Sequence, residues 1–219
     1  IKTTIKTTIK MKMKTKIKIC GITNADDALD AISLGADALG FVFFNKSKRY
    51  ISPKNAGKII SLLPPFIARV GLFVNASKDD VLSSICDSKV NLLQFHGDED
   101  EHFCNQFNLP YIKAISFREN VNLLNYCESF ASSSAILLDT YSDDMRGGTG
   151  KTFNWNLIPK ELPLPIIIAG GLNSSNVSTL IRSINPYGVD VSSGVEVELG
   201  IKDYNMMKNF VLGVNNAAI

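Results

Sequence analysis

Two side chains in this 219-residue sequence are placed to move protons. Cys20 closes the run Ile17-Lys18-Ile19-Cys20 and is followed by Gly21, so a thiol leaves a β-branched stretch where glycine lets the chain turn sharply. Asp139 follows four apolar residues, Ala135-Ile136-Leu137-Leu138. An isomerase needs one group that takes a proton from carbon and one that gives a proton to oxygen, and these two could serve. Each also has a plain structural reading. Cysteine is a common buried residue, and an aspartate at a strand end can accept backbone N–H bonds in the next loop.

Groups that could hold an anion lie at other strand ends. The loop Asn45-Lys46-Ser47-Lys48-Arg49-Tyr50 is basic, and Arg49 can grip a carboxylate bidentately where a lysine cannot; otherwise it is a solvated charged turn. Gly170-Gly171 and Ser192-Ser193-Gly194 each precede a region able to start a helix, and small residues there leave backbone N–H groups to cradle a phosphate. The string Gly147-Gly148-Thr149-Gly150-Lys151-Thr152 suggests a nucleotide loop, but the pattern requires glycine at 145, which is Met145, and a strand immediately before. Residues 140–152 read instead as a glycine-hinged lid.

The elements that must carry these residues are short β-branched runs alternating with helical patterns, the mark of repeated βαβ units. Strands are predicted at Ile17–Cys20, Ala38–Phe43, Ala68–Val74, Leu92–Phe95, Ile112–Ile115, Ala135–Asp139, Pro165–Ala169 and Val189–Ser192. Ala25, Ala28, Leu29 and Ile32 form a helical stripe that stops at Gly35, and Val177, Leu180, Ile181 and Ile184 form another. Ser77, three before Asp80, is a predicted N-cap. With no GxGxxG after the first strand, an open doubly wound sheet is disfavoured. The expectation is an α/β protein, a single (β/α)8 TIM barrel over residues 17–219, with the candidate residues gathered at the C-terminal ends of its strands.

Composition agrees with a folded domain: 45% hydrophobic residues, 20% charged, mean hydropathy +0.09. No apolar run approaches the roughly 18 residues that span a bilayer, and nothing resembles a signal peptide, so a cytoplasmic location and no membrane partner are expected. Cys20, Cys86, Cys104 and Cys127 contain no CxxC pair, and His96 and His102 lack a third ligand at regular spacing; neither disulfides nor a metal are expected. Residues 1–18 hold seven lysines and no acid, which exceeds the whole formal charge of +2. The lysines alternate with Ile, Thr and Met as in a strand, yet no arginine or aromatic accompanies them. Residues 1–16 are therefore expected to be an extension outside the fold, and nucleic acid is not an expected partner.

Eight segments in barrel order resemble the phosphoribosylanthranilate isomerase family of tryptophan biosynthesis: KICGIT (18–23), GADALGFVF (35–43), KSKRYISP (46–53), QFHG (94–97), LLDT (137–140), GGTGKTFNW (147–155), AGGLN (169–173) and VDVSSGVE (189–196). The resemblance covers residues 17 to about 213. It implies a barrel of the ribulose-phosphate-binding type that needs no cofactor. It further implies Cys20 as general base, Asp139 as general acid, Arg49 on the anthranilate carboxylate, Gly170, Gly171, Ser193 and Gly194 on phosphate, and His96 and Asp190 as further substrate-binding residues. The implied reaction is the Amadori rearrangement of N-(5-phosphoribosyl)anthranilate to 1-(2-carboxyphenylamino)-1-deoxyribulose 5-phosphate. This sequence departs from the family at Phe95, where leucine is frequent, in a slightly longer lid carrying Asp143-Asp144, and in its lysine-rich start.

The sister isomerase of histidine biosynthesis is the nearest rival, but it has an aspartate in place of Cys20. A phosphate-binding barrel without catalysis is the rival from another class. No indoleglycerol-phosphate synthase segment is recognisable, so a single activity is expected; whether the barrel is a monomer or a homodimer is left open by the sequence.

Overall fold

A computed structural model describes residues 14–117, 121–139, 155–159 and 161–217. Eight parallel strands close into a barrel in chain order: β1 (Lys16–Cys20), β2 (Ala38–Val42), β3 (Ala68–Phe73), β4 (Leu92–Phe95), β5 (Tyr111–Ser116), β6 (Ala135–Asp139), β7 (Ile166–Ala169) and β8 (Gly188–Val191). Each predicted strand is present, with ends displaced by a residue or so. The seam pairs β8 with β1 through Lys16↔Gly188, Ile17↔Val189, Lys18↔Asp190 and Ile19↔Val191.

That seam moves the start of the fold. Lys16 belongs to β1, its side chain pairs with Asp37 at 2.8 Å, and Thr15 is 2% exposed with its hydroxyl donating to the Pro186 carbonyl. The expected extension over 1–16 thus overreached at its end, because the alternation of the lysine run continues in phase into the strand. Residues 1–13 and the whole of the expected lid, 140–152, lie outside the described residues.

The outer layer is formed by α1 (Ala25–Leu34), α2 (Pro53–Ile60), α3 (Lys78–Ser88), the single turn α4 (Glu101–Cys104), α5 (Leu123–Ser129), α6 (Val177–Ile184) and α7 (Tyr204–Ala217). Starts are fixed by side chains that satisfy otherwise orphaned N–H groups. Asn24 accepts from the Asp27 N–H, Ser52 from Asn55 with Pro53 next to it, and Ser77 from Asp80 as predicted. The α1 stripe is rotated from its expected position: Leu29 is 43% exposed, while Asp27, Ala28 and Ala31 are buried. Asp27 turns inward because its carboxylate accepts the Lys202 backbone N–H at 2.7 Å.

Strands covered by helices outside and side chains inside are apolar on both faces. On β4 the alternation sends Gln94 into the barrel mouth and Phe95 outward. There Phe95 packs against Phe73, Phe103, Phe107 and Tyr111, with ring centroids 5.6 to 6.0 Å away. The large residue at position 95 therefore belongs to the strand–helix interface, away from the cavity.

A hairpin that periodicity did not reveal, β9 (Glu196–Glu198) with β10 (Ile201–Lys202), follows a 3-10 turn at Ser193–Val195. It fills the space expected to hold the start of a helix after β8; the helix itself begins only at Tyr204.

Candidate active site at the barrel mouth

The C-terminal strand ends surround a cavity of about 480 Å³. Cys20 from β1 and Asp139 from β6 both line it, as do Arg49 and His96 from the loops after β2 and β4. Gly170, Gly171, Asp190 and Ser193 complete the wall on the β7–β8 side. Gly194 is set back from the wall. A side chain there would strike the Leu172 carbonyl, so glycine lets the loops after β7 and β8 lie against each other.

His96 joins the acid candidate to the cavity floor. Its Nε2 lies 3.3 Å from Asp139 Oδ2, and its Nδ1 lies 3.3 Å from the amide nitrogen of Gln94. An Nδ1 that accepts from Gln94 leaves the ring proton on Nε2, facing the aspartate. Gln94 is 1% exposed, and its Oε1 has no partner; Asp190 Oδ1 is likewise buried without one. Both orphaned acceptors belong to residues that line the cavity, where a buried polar atom without a partner calls for an explanation.

Arg49 lies at the mouth with its fork already engaged. Its Nε and Nη2 donate to the two oxygens of Glu196 at 2.7 and 2.6 Å. The hydrogen bonds that it donates to Glu196 hold the guanidinium above its ordinary pKa, burial opposing them. Glu196 also accepts from Lys202 Nζ at 2.7 Å. Burial alone would push the Glu196 carboxyl up, but these cations outweigh it and hold the group below the usual carboxylate value. The bidentate grip expected of Arg49 is thus spent, on one side of the guanidinium, on a carboxylate of the protein itself.

Gly170 and Gly171 adopt φ of 85° and 64°, left-handed conformations suited to glycine, and no atom lies within 4 Å of where a Gly171 side chain would start. Asn176 steadies this loop, accepting from the Asn173 N–H at 3.0 Å and donating to the Gly171 carbonyl at 2.9 Å. The outcome is an open, backbone-lined corner of the cavity beside Ser192 and Ser193.

Burial of the Cys20 thiol, which is 7% exposed, pushes its pKa up. Lys18, two residues earlier on the same face of β1, opposes that effect with its charge and a hydrogen bond, and Lys202 adds a weaker opposing charge. Lys18 is itself 4% exposed and pairs with Asp190 at 2.9 Å. Burial would lower its pKa, but Asp190 and Cys20 more than compensate, so it stays an ammonium. Among the described residues no group of histidine, cysteine and acidic side chains could hold a metal ion, and no helix is long and apolar enough to cross a membrane.

The family model for N-(5′-phosphoribosyl)anthranilate isomerase matches residues 17–212. The chain belongs to the N-(5′-phosphoribosyl)anthranilate isomerase family. The isomerase of that name from Nitrosospira multiformis is 50% identical over 198 residues, covering 90% of this chain and 95% of that protein. The phosphoribosylanthranilate isomerase of Thermotoga maritima superposes with a TM-score of 0.84 at 42% identity, covering 92% of this chain and 99% of that one. A further isomerase structure, with TM-score 0.81, 40% identity and the same coverage, holds reduced 1-(o-carboxyphenylamino)-1-deoxyribulose 5-phosphate. Membership makes this barrel an isomerase of tryptophan biosynthesis. The rival reading as the histidine-pathway isomerase falls away.

Sequence reasoning missed Lys18, Gln94, Glu196 and Lys202. Gln94 carried a signal, since alternation from outward Phe95 places it inside. Lys18 shares a face with Cys20 on the same argument, but it was counted with the lysine-rich start.

Proposed function

We propose that the mouth performs the Amadori rearrangement of N-(5′-phosphoribosyl)anthranilate with Asp139 as general acid and Cys20 as general base. Asp139 protonates the furanose ring oxygen, and the ring opens to a Schiff base. Cys20, as thiolate, then removes the C2′ proton; the electron pair left on carbon moves into an enolamine, which tautomerises to the ketone product. No step needs a cofactor. The observation that carries this reading is that Cys20 and Asp139, five strands apart in sequence order, line one cavity together with the glycine corner after β7.

In this reading the phosphate sits on the backbone N–H groups of Gly170, Gly171, Ser193 and Gly194. The anthranilate carboxylate meets Arg49 end-on, since a guanidinium has five donors and the two facing Glu196 are taken. Asp190 Oδ1 and Gln94 Oε1 accept sugar hydroxyls, and His96 holds the Asp139 carboxyl toward the ring oxygen. The phosphorylated small molecule is the partner in this account.

The test is turnover followed by loss of phosphoribosylanthranilate fluorescence. Cys20→Ala and Asp139→Asn are expected to fold and to lose ~10² to 10⁴ in kcat, the usual worth of one proton-transfer group. Turnover near the wild-type value in either purified variant would remove that residue from its role.

A further inference from the structure

The geometry points to Lys18 as the residue that tunes the base: its ammonium, clamped by Asp190 beneath the cavity floor, converges with the Cys20 sulfur over Gly40 and favours the thiolate against burial. This rests on the reading of Cys20 as the general base and adds a positioning residue to it. Lys18 does not line the cavity and acts only through the thiol.

Register makes the arrangement. Lys18 and Asp190 are direct partners across the seam, so both side chains point into the barrel and meet at 2.9 Å. Cys20, two residues on, points the same way and is the register partner of Gly40 on β2. A Cβ on Gly40 would lie 2.7 Å from the Cys20 sulfur and 3.1 Å from Lys18 Nζ. Thiol and ammonium therefore converge over the bare Cα of Gly40, in space that any other residue would occupy.

The charges around the sulfur come from four elements. Lys18 (β1), Lys202 (β10) and Arg49 (the loop after β2) are cations, and Asp190 (β8) is an anion. Asp190 in turn feels Asp139 (β6) and His96 (the loop after β4). Arg49 and Lys202 are both bound to Glu196, and Lys202 also donates to Ser192. These three cations face the carboxylates of Asp190 and Glu196. Lys18 is the cation that shares the space over Gly40 with the sulfur. An opposite charge this close favours the charged form of a group.

The experiment measures the rate of Cys20 alkylation by iodoacetamide against pH, mapped by peptide mass, alongside the pH profile of kcat/KM. A Cys86→Ser background removes the exposed cysteine. Lys18→Met is expected to move both midpoints upward by roughly one to three pH units, so that alkylation at neutral pH falls at least about tenfold. Asp190→Asn keeps the ammonium and removes a carboxylate, so its midpoint is expected not to rise. Lys18→Met/Asp190→Asn leaves no unpaired buried charge and serves if the single variant does not fold; the same upward movement is expected, since the lysine acts on the sulfur more strongly than the aspartate. Midpoints equal to the wild type in a folded variant lacking Lys18 overturn the proposal. Full turnover in Cys20→Ala would instead overturn the base assignment, leaving the alkylation result to stand by itself.

Discussion

Glu196 holds Arg49 by two hydrogen bonds of 2.7 and 2.6 Å, so the group expected to grip the substrate carboxylate is itself gripped by the hairpin after β8. A guanidinium fixed on one side presents its other edge in a single orientation, which lowers the entropy cost of binding a planar acid. Glu196→Gln keeps the shape of the acceptor and removes its charge. KM is expected to rise about tenfold, with kcat falling less, in steady-state fluorescence assays. A fall confined to kcat would show that Glu196 serves the chemistry and not the grip.

The same carboxylate gives the protein an acid limit. Its pKa is held below the ordinary value in the folded state, so it binds a proton more readily when unfolded. Its stabilising contribution is complete at neutral pH, begins to fade as pH falls through the ordinary carboxylate value and is gone below the folded value. Melting temperatures from pH 6 to 3 should fall more steeply for the wild type than for Glu196→Gln, and the two curves should converge at the acid end. Parallel curves would contradict the assignment.

At Gly171, φ of 64° in open space separates strain from collision. Gly171→Ala has room for its methyl group but must hold a left-handed backbone, at a cost of about 1–2 kcal/mol. For a chain of this size the expected loss in Tm is about 2–4 °C per kcal/mol. If the backbone there meets phosphate, KM rises and inhibition by inorganic phosphate weakens; unchanged phosphate inhibition in a folded variant would argue against the proposed cradle.

Asp27 links α1 to β10 through the Lys202 backbone. Asp27→Ala leaves that buried N–H without an acceptor, a loss of about 1–3 kcal/mol. Urea unfolding should show it as a lower midpoint at unchanged slope.

Phe95→Leu tests the separation of core from chemistry. The ring packs outward, so stability should fall by about 1–2 kcal/mol, with kcat and KM unchanged. A changed KM would mean that the outer packing sets the position of Gln94 or His96.

The barrel was legible because its evidence is local: each strand is a β-branched run, and Ser77 marks a helix start whatever surrounds it. Leu29 was misplaced because the buried face of α1 is decided by Asp27 reaching a backbone N–H 175 positions away. Lys18 was hidden for a similar reason. Alternation gives its face, but only closure of β8 on β1 gives it Asp190. Arg49 was visible as a candidate, while its partner lay in strands of two and three residues, too short to carry a period. What sequence conveys least well is the choice of partner between elements that meet only when the sheet closes.

Since β1 bears the thiol and Lys18, and β8 bears the aspartate that clamps the lysine, these three groups meet on the suture where the first and last strands join. A barrel with seven strands in place and the eighth unpaired would leave the Lys18 ammonium without its carboxylate. The pairing of one buried lysine therefore waits for the final stitch of assembly.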